Sequence, residues 1–374
     1  MKKDTQCVHS GGIFDPVTGG VNTPIYPSSA FEYRDRQDVP YPRYFNTPNQ
    51  RVIVEKLCSL EGAEDGVLFG SGMAAISTTV CAFARAGDHV VMMDELYGGT
   101  HSFATDAFAR LGIAHTFAAT SAEAVCAAIR KETKVVVIES PTNPLLSVID
   151  IRKVAACCRD KGVVSIIDNT FASPVLQNPL GLGMDVVVHS GTKYLGGHSD
   201  LCCGITVTST EKAKTIRDLA RHFGGVMNAQ TCYLLERSLK TLALRMERQT
   251  SNAGRIAGYL SERKEVKKVF YPGLAGSQGH SLARSQMTGF GAMLSFELDA
   301  AVSPDDCLRR LKLIRPAVSL GGIETTICSP AKTSHAKMSA EERKRIGVSD
   351  ALLRLSVGIE HVEDLIEDLG QAMG

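Results

Sequence analysis

Three features of this sequence predict an α/β fold with a mainly parallel sheet and helices on both faces. Short apolar runs recur along the first two hundred residues, at His89–Met93, Lys134–Glu139, Val163–Asp168, Asp185–His189 and Ile205–Val207. Such runs, rich in Val and Ile and bounded by turn residues, read as buried parallel strands. Helical stretches separate most of them, which gives βαβ alternation. Polar groups gather just past the run ends, where open α/β sheets place their ligands.

The elements follow in order. Residues 1–50 are rich in Gly, Pro, Asn and Tyr and show no sustained period. Phe14, Tyr26, Phe31, Tyr33, Tyr41, Tyr44 and Phe45 argue for an arm that docks on something, since disordered segments hold few aromatics. From Arg51 a helical stretch leads to a strand at Gly66–Phe69, and Gly70-Ser71-Gly72 then opens a helix at Met73. A long helical stretch is predicted from Thr231 to about Glu265, ended by Tyr271-Pro272-Gly273. The rest reads as a smaller α+β unit with strands at Ala292–Leu298 and Leu352–Val357. Its last helix starts near Glu360, with Val362, Leu365, Ile366 and Leu369 at i, i+3, i+4, i+7. The division expected is an arm at 1–50, a large domain at 51–235, and a linking helix with a C-terminal domain at 236–374.

The chain has 374 residues, 44% hydrophobic and 22% charged, as a globular protein with a sizeable core would. A net charge of +1 supplies no global field for nucleic acid or an anionic membrane, and no stretch approaches membrane-spanning length. The eleven Cys are scattered without C-x-x-C, and the start, MKKDTQCVHSGG, is not an apolar leader. Reduced thiols and a cytoplasmic location are expected. His9, His89, His198, His280 and His335 show no metal spacing, so no metal is expected.

Asp168 ends one apolar run, and Lys193 follows the next in Ser190-Gly191-Thr192-Lys193. A carboxylate and an amine facing one crevice is what pyridoxal 5'-phosphate (PLP) needs. The Lys forms the Schiff base, and the Asp keeps the pyridinium nitrogen protonated. Two hydroxyls beside the Lys suit a phosphate. Taken singly, Lys193 also reads as a solvated loop Lys, and Asp168 as a helix cap. Tyr97, after His89–Met93, has the place to stack on a planar ring or to lie half-buried in a loop. Arg354 interrupts an apolar strand. It reads as a carboxylate fork or as an edge-strand Arg facing water. Gly70-Ser71-Gly72-Met73-Ala74-Ala75 fits G-x-G-x-x-A, with Asp94 at a suitable distance, so a dinucleotide-dependent oxidoreductase is a rival reading. On these residues alone a phosphate of either cofactor, or a bare turn, remains open.

Several ordered motifs together resemble the Cys/Met-metabolism PLP enzymes, the cystathionine γ-synthase, γ-lyase and β-lyase group. They are Asp168-Asn169-Thr170-Phe171, His189 to Tyr194, Gly197-His198-Ser199-Asp200, Ser71-Gly72-Met73-Ala74, Tyr97-Gly98-Gly99, Glu139 to Pro144, Leu239 to Leu242, Ser319 to Glu324 and Leu353 to Gly358. The resemblance spans nearly the whole chain. It implies fold type I, a homotetramer built as a dimer of dimers, and active sites shared between subunits. It also implies small amino-acid substrates of trans-sulfuration, within methionine and cysteine metabolism.

By the same resemblance, Lys193 would carry the cofactor, Asp168 would face its ring nitrogen, and Tyr97 would stack on its ring. Ser71, Gly72, Met73, Ser190 and Thr192 would hold its phosphate. Tyr41 and Arg43, in Tyr41-Pro42-Arg43, would complete that cup in a neighbouring subunit. Arg354, Asn143 and the Ser319 backbone would grip the substrate carboxylate. Tyr41 and Val318 would border the substrate.

This chain departs from the pattern in places. The family usually reads Tyr-Ser-Arg-x-x-Asn-Pro-Thr, against Tyr41-Pro42-Arg43-Tyr44-Phe45-Asn46-Thr47-Pro48 here. Val318 stands where many γ-synthases and γ-lyases carry a Glu. Gly99 stands where methionine γ-lyases carry a Cys, and Trp is absent. The expected activity is carbon–sulfur lysis of cystathionine or a related sulfur amino acid by β/γ-elimination, with Lys193, Tyr97 and Asp168 catalytic. The alternative is γ-replacement on an O-acyl-homoserine.

Overall fold

The computed structural model describes residues 1–374 apart from His335, Lys337 and Met338, and apart from the side chains of Glu342, Lys344 and Arg345. His335, expected to be an ordinary polar position, lies outside the described residues. Among the described residues the chain forms two sheets. The larger holds β1 (Asp65–Phe69), β2 (His89–Met93), β3 (Ala114–Ala118), β4 (Thr133–Glu139), β5 (Val164–Asp168), β6 (Val186–Ser190) and β7 (Gly204–Thr208), in the order β1-β7-β6-β5-β4-β2-β3.

The five strands from β2 to β6 pair in parallel. Only β7 runs against its neighbours, β1 and β6. The β-branched runs Val135–Ile138, Ile166–Ile167 and Val186–Val188 are fully buried, as strands covered on both faces require. Helix Gly72–Phe83 lies against β6 and β7 and against helix Thr210–Phe223. The chain runs outward from β2 to β3 and then returns to place β4 on the other side of β2. The strand order therefore reverses at β2 and β4, and a crevice opens at their carboxyl ends.

The smaller sheet holds β8 (Val266–Phe270), β9 (Met293–Leu298), β10 (Arg315–Pro316), β11 (Thr326–Cys328) and β12 (Leu352–Ser356), in the order β10-β11-β12-β9-β8. This corrects one alternative for Arg354. Its strand is flanked by β11 and β9 rather than lying at an edge, and Arg354 is 5% exposed.

Other elements differ from expectation for physical reasons. β3 and β8 are edge strands with mixed composition, so neither shows an apolar run. The helix predicted from Thr231 to Glu265 is two helices, Ala229–Leu239 and Leu242–Ser261. No Gly or Pro marks the break. The Arg245 guanidinium fixes it by donating to the Thr241 hydroxyl and the Ser238 carbonyl. The arm begins with helix Lys3–His9, whose Cys7 is buried against helices Pro48–Glu61 and Leu242–Ser261. Seven residues are too few to show a period. Among the described residues no helix is long and apolar enough to cross a membrane, and no group of three or more His, Cys, Asp or Glu could hold a metal ion.

Candidate active site

A cavity of about 500 Å³ lies at the carboxyl ends of β4, β5 and β6, roofed by loops of the smaller unit. It is of the size typical for small-molecule sites. Ser71, Gly72, Met73, Tyr97, Asn143, Asp168, Ser190, Thr192, Lys193, Val318, Ser319 and Arg354 all line it.

One wall is the start of helix Gly72–Phe83. The Ser71 hydroxyl caps this helix by accepting from the Ala74 amide, and the Gly72 and Met73 positions face the cavity. A helix N-terminus offers amides and a positive dipole end to an anion. A Cβ at Gly72 would sit 2.7 Å from Ser190 Cβ, so only glycine lets the helix start approach β6 this closely. Ser190 is oriented from behind, its amide donating to the Thr170 hydroxyl at 2.8 Å. The Thr192 hydroxyl is engaged with the Cys203 backbone, donating to the carbonyl at 3.2 Å and accepting from the amide at 3.1 Å.

Asp168 ends β5. Its Oδ1 accepts from the Thr170 amide at 2.9 Å. Burial pushes this carboxyl up from the usual range, opposed by the Thr170 bonds, His189 and Lys193. Glu139 is its register partner at the end of β4, so both carboxyls reach the same cavity. Burial first, and then the Asp168 charge, pushes Glu139 well above the ordinary carboxyl range. Glu139 Oε2 accepts from the Tyr97 amide at 2.8 Å and so holds the Tyr97 loop.

Lys193 Nζ donates to Ser319 Oγ at 2.8 Å. Burial, helped by the Arg354 charge, lowers its ammonium from 10.5 to about 8. A larger fraction of free amine is then available near neutral pH than an ordinary Lys supplies. Ser319 sits in the left-handed region at φ 74°, and its carbonyl accepts from Arg354 at 3.3 Å. Arg354 also donates to Asn143 Oδ1 at 2.8 Å. Its Nε is buried without a partner among the described residues. A buried, unsatisfied guanidinium N–H is costly unless a ligand fills the gap.

Tyr97 is 44% exposed and its ring folds over Gly99, where an added Cβ would lie 2.5 Å from Tyr97 Cε1. A side chain at this position would therefore displace the ring. Tyr41 and Arg43 do not line this chain's cavity. Arg43 donates to the Arg221 carbonyl at 2.9 Å and lies over the rings of Tyr41 and Tyr44. Val318 stands at the mouth, 71% exposed. Glu139, Thr170, Phe171, Cys202, Leu320 and the segment Lys332 to Ser334 also line the cavity, and the sequence reasoning did not single them out as site residues. Register could have found Glu139, because it ends the strand beside that of Asp168.

The residues present fit PLP. An anion-ready helix start, the half-buried Asp168 carboxylate, an amine with a lowered pKa and the Arg354 side chain line one cavity. The comparisons agree. The Cys/Met metabolism PLP-dependent enzyme family model matches residues 4–374. Cystathionine gamma-lyase of Bacillus subtilis (strain 168) is 45% identical over 378 residues, covering 100% of this chain and 99% of the relative. Cystathionine beta-lyase of Lactococcus lactis subsp. cremoris (strain MG1363) is 41% identical over 374 residues, covering 99% and 98%. The crystal structure of cystathionine gamma-lyase from Lactobacillus plantarum complexed with L-serine matches with a TM-score of 0.96 at 40% identity, covering 100% of this chain and 98% of that one. The dinucleotide alternative for Gly70–Ala75 falls, because the match extends over the whole chain. The chain belongs to the Cys/Met-metabolism PLP-dependent enzymes.

Proposed function

We propose that this protein is a carbon–sulfur lyase that cleaves cystathionine or a related sulfur amino acid by β- or γ-elimination. The observation that carries the reading is Arg354. Arg354 is 5% exposed, its guanidinium is held by Asn143 and Ser319, and it lines the same cavity as the Lys193 amine. That is an anchor for an amino-acid α-carboxylate with a base next to Cα. The named relatives support the substrate class.

When bound, PLP supplies an electron-withdrawing ring that stabilises negative charge at the substrate Cα. The residues of this chain do the rest. The Gly72 and Met73 amides and the Ser190 hydroxyl would bind the phosphate, with Ser71 shaping the helix start and Thr192 the loop before Lys193. The Asp168 carboxylate would keep a proton on the cofactor's ring nitrogen. Tyr97 would cover the ring face. Arg354, oriented by Asn143 Oδ1 and the Ser319 carbonyl, would fix the carboxylate so that the Cα–H bond points at Lys193. The Lys193 amine, lowered to about 8 and so more available as a base near neutral pH than an ordinary Lys, would take the α-proton. For a γ-leaving group it is also the base placed to take a proton from Cβ. Tyr97, which lines the cavity, would hand a proton to the departing sulfur.

The product assay on cystathionine tests the reading. Homocysteine with pyruvate marks β-elimination, and cysteine with 2-oxobutyrate marks γ-elimination. Absence of either keto acid, with thioether formation from O-acetyl-homoserine and cysteine, would make the protein a γ-replacement enzyme instead.

Shared sites in a homotetramer of paired dimers belong to the same proposal. Tyr41 and Arg43 lie away from their own chain's cavity on an arm whose aromatics are largely exposed. Mixing Arg43→Ala with Lys193→Ala chains under subunit exchange should restore part of the activity. A mixture that exchanges and stays inactive places each site within one chain. Eleven free thiols support a cytoplasmic setting.

A further inference from the structure

Behind the cavity floor lies a buried polar cluster that the chemistry above does not use. Glu61 ends helix Pro48–Glu61, and its side chain is fully buried. Its Oε1 accepts from His189 Nε2 at 2.6 Å and from Asn169 Nδ2 at 2.9 Å. Its Oε2 accepts from Asn178 Nδ2 at 3.2 Å. Gln177 extends the cluster, donating to Asn169 Oδ1 at 2.9 Å and to the Ser140 carbonyl at 2.8 Å. The cluster thus reaches the ends of β4, β5 and β6. His189 Nδ1 is buried without a partner, so the donor role of Nε2 toward Glu61 is the tautomer that leaves a bare nitrogen rather than an orphaned N–H.

Register places this cluster opposite the cavity. Asp168 pairs with Val188, and side chains alternate between faces along a strand. Asp168 and Ser190 therefore share the cavity face. His189 and Asn169, their immediate neighbours, turn the other way toward Glu61. Each cavity residue is next in sequence to a residue held by the same carboxylate.

We infer that Glu61 is a positioning residue for the cofactor site. Its carboxylate ties the end of β5 to the end of β6 and so fixes Asp168 relative to Ser190 and Lys193. A buried carboxylate with three donors is directional, and losing one partner leaves the others unsatisfied. An apolar contact would hold the strands together without setting their offset along the chain. The inference rests on the reading that Asp168 and Lys193 serve the cofactor, and the controls separate the two.

Glu61→Gln keeps the size but turns one acceptor into a donor facing donors. Displacements on the order of 1 Å at a site cost about a hundredfold. In Glu61→Gln the holoenzyme should lose cofactor affinity by at least about tenfold, with a shifted absorbance maximum of the bound cofactor. Asp368→Asn is the stability control, because Asp368 caps Lys312 to Ile314 in the smaller unit. It should lower Tm and leave both cofactor readouts unchanged. His189→Gln, whose amide reaches the same oxygen, should keep the affinity that His189→Leu loses, and this pair decides the matter if Glu61→Gln does not fold. Unchanged cofactor affinity and spectrum in Glu61→Gln, or equal behaviour of the two His189 variants, would overturn the inference. Asp168→Asn is the control for the site reading. If it too leaves the cofactor unaffected, the site reading itself fails and takes the inference with it.

Discussion

The two walls of the cavity are built differently. One consists of strand ends and a helix start, with Asp168 and Ser190 on adjacent parallel strands and Gly72 packed against Ser190. Buried hydrogen bonds back it on the far face. The other consists of loops. Tyr97 is 44% exposed, Val318 is 71% exposed, and Lys332 at the rim pairs with Asp305 on the surface. Sheet register sets positions to fractions of an ångström, whereas exposed loops tolerate substitution. On the proposed reading, most cofactor contacts lie on the rigid wall, with Tyr97 reaching over from the loops, and substrate preference lies on the loop wall.

The largest effect should come from the rigid wall. Lys193→Ala removes the base, and kcat should fall by at least about 10³-fold. PLP should still bind non-covalently, because the phosphate contacts and Tyr97 do not depend on Lys193. Steady-state kinetics with an absorbance spectrum of the dialysed protein checks both halves. Asp168→Asn should keep the fold and lose about 10²-fold in kcat, because a neutral amide cannot hold the ring proton by charge. Activity within about twofold of the parent, roughly 0.4 kcal/mol, would reduce Asp168 to a cap for Thr170.

Arg354 bridges the walls. Arg354→Ala should raise KM for every amino-acid substrate, an effect of about 2 kcal/mol or more. A rise confined to one substrate would move Arg354 to side-chain recognition. The same variant should shift Lys193 back toward 10.5, since the Arg354 charge is the second cause of its lowering after burial. The sign of the pH effect follows. In the cofactor-free parent, Lys193 titrates near 8 when folded and near 10.5 when unfolded. Between these values Lys193 holds its proton only in the unfolded chain, so this group's contribution to folded-state stability grows as the pH rises, while buried thiols such as Cys58, Cys158, Cys203 and Cys232, raised by burial, contribute with the opposite sign. The Lys193 contribution is therefore read as a difference: from pH 8 to 10 the melting temperature of the parent apoprotein should fall less, or rise more, than that of Arg354→Ala, and equal slopes would contradict it.

The smallest effect should come from the loop wall. Val318→Glu places a carboxylate at the mouth, where a distal ammonium of cystathionine could meet it. A charge-assisted contact of about 1.5 kcal/mol would shift the kcat/KM ratio of cystathionine over methionine by about tenfold. A parent already selective by several decades, or a ratio that Glu leaves unmoved, would place recognition in the Tyr41–Pro48 arm or the loop after Gly98.

The same contrast explains what could be read from the sequence. Strands β2, β4, β5 and β6 are buried on both faces, so their Val and Ile runs announce them. Asp168 and Lys193 stand out because polar residues follow those runs directly. The edge strands β3 and β8 carry mixed side chains and stay hidden. The break at Thr241 depends on Arg245, which no local pattern reveals. Glu61 lies 128 residues from His189, and Glu139 faces Asp168 only through strand pairing. Such groups become visible only once register is known. The arm residues Tyr41 and Arg43 are easy to see in the sequence, yet one chain alone gives them no cavity to complete.

Borohydride reduction of the holoenzyme, followed by peptide mapping, tests the central claim most directly. The account predicts a single pyridoxyl label on Lys193, with none in Lys193→Ala. A label on another lysine, or an unlabelled Lys193 in active protein, would contradict it.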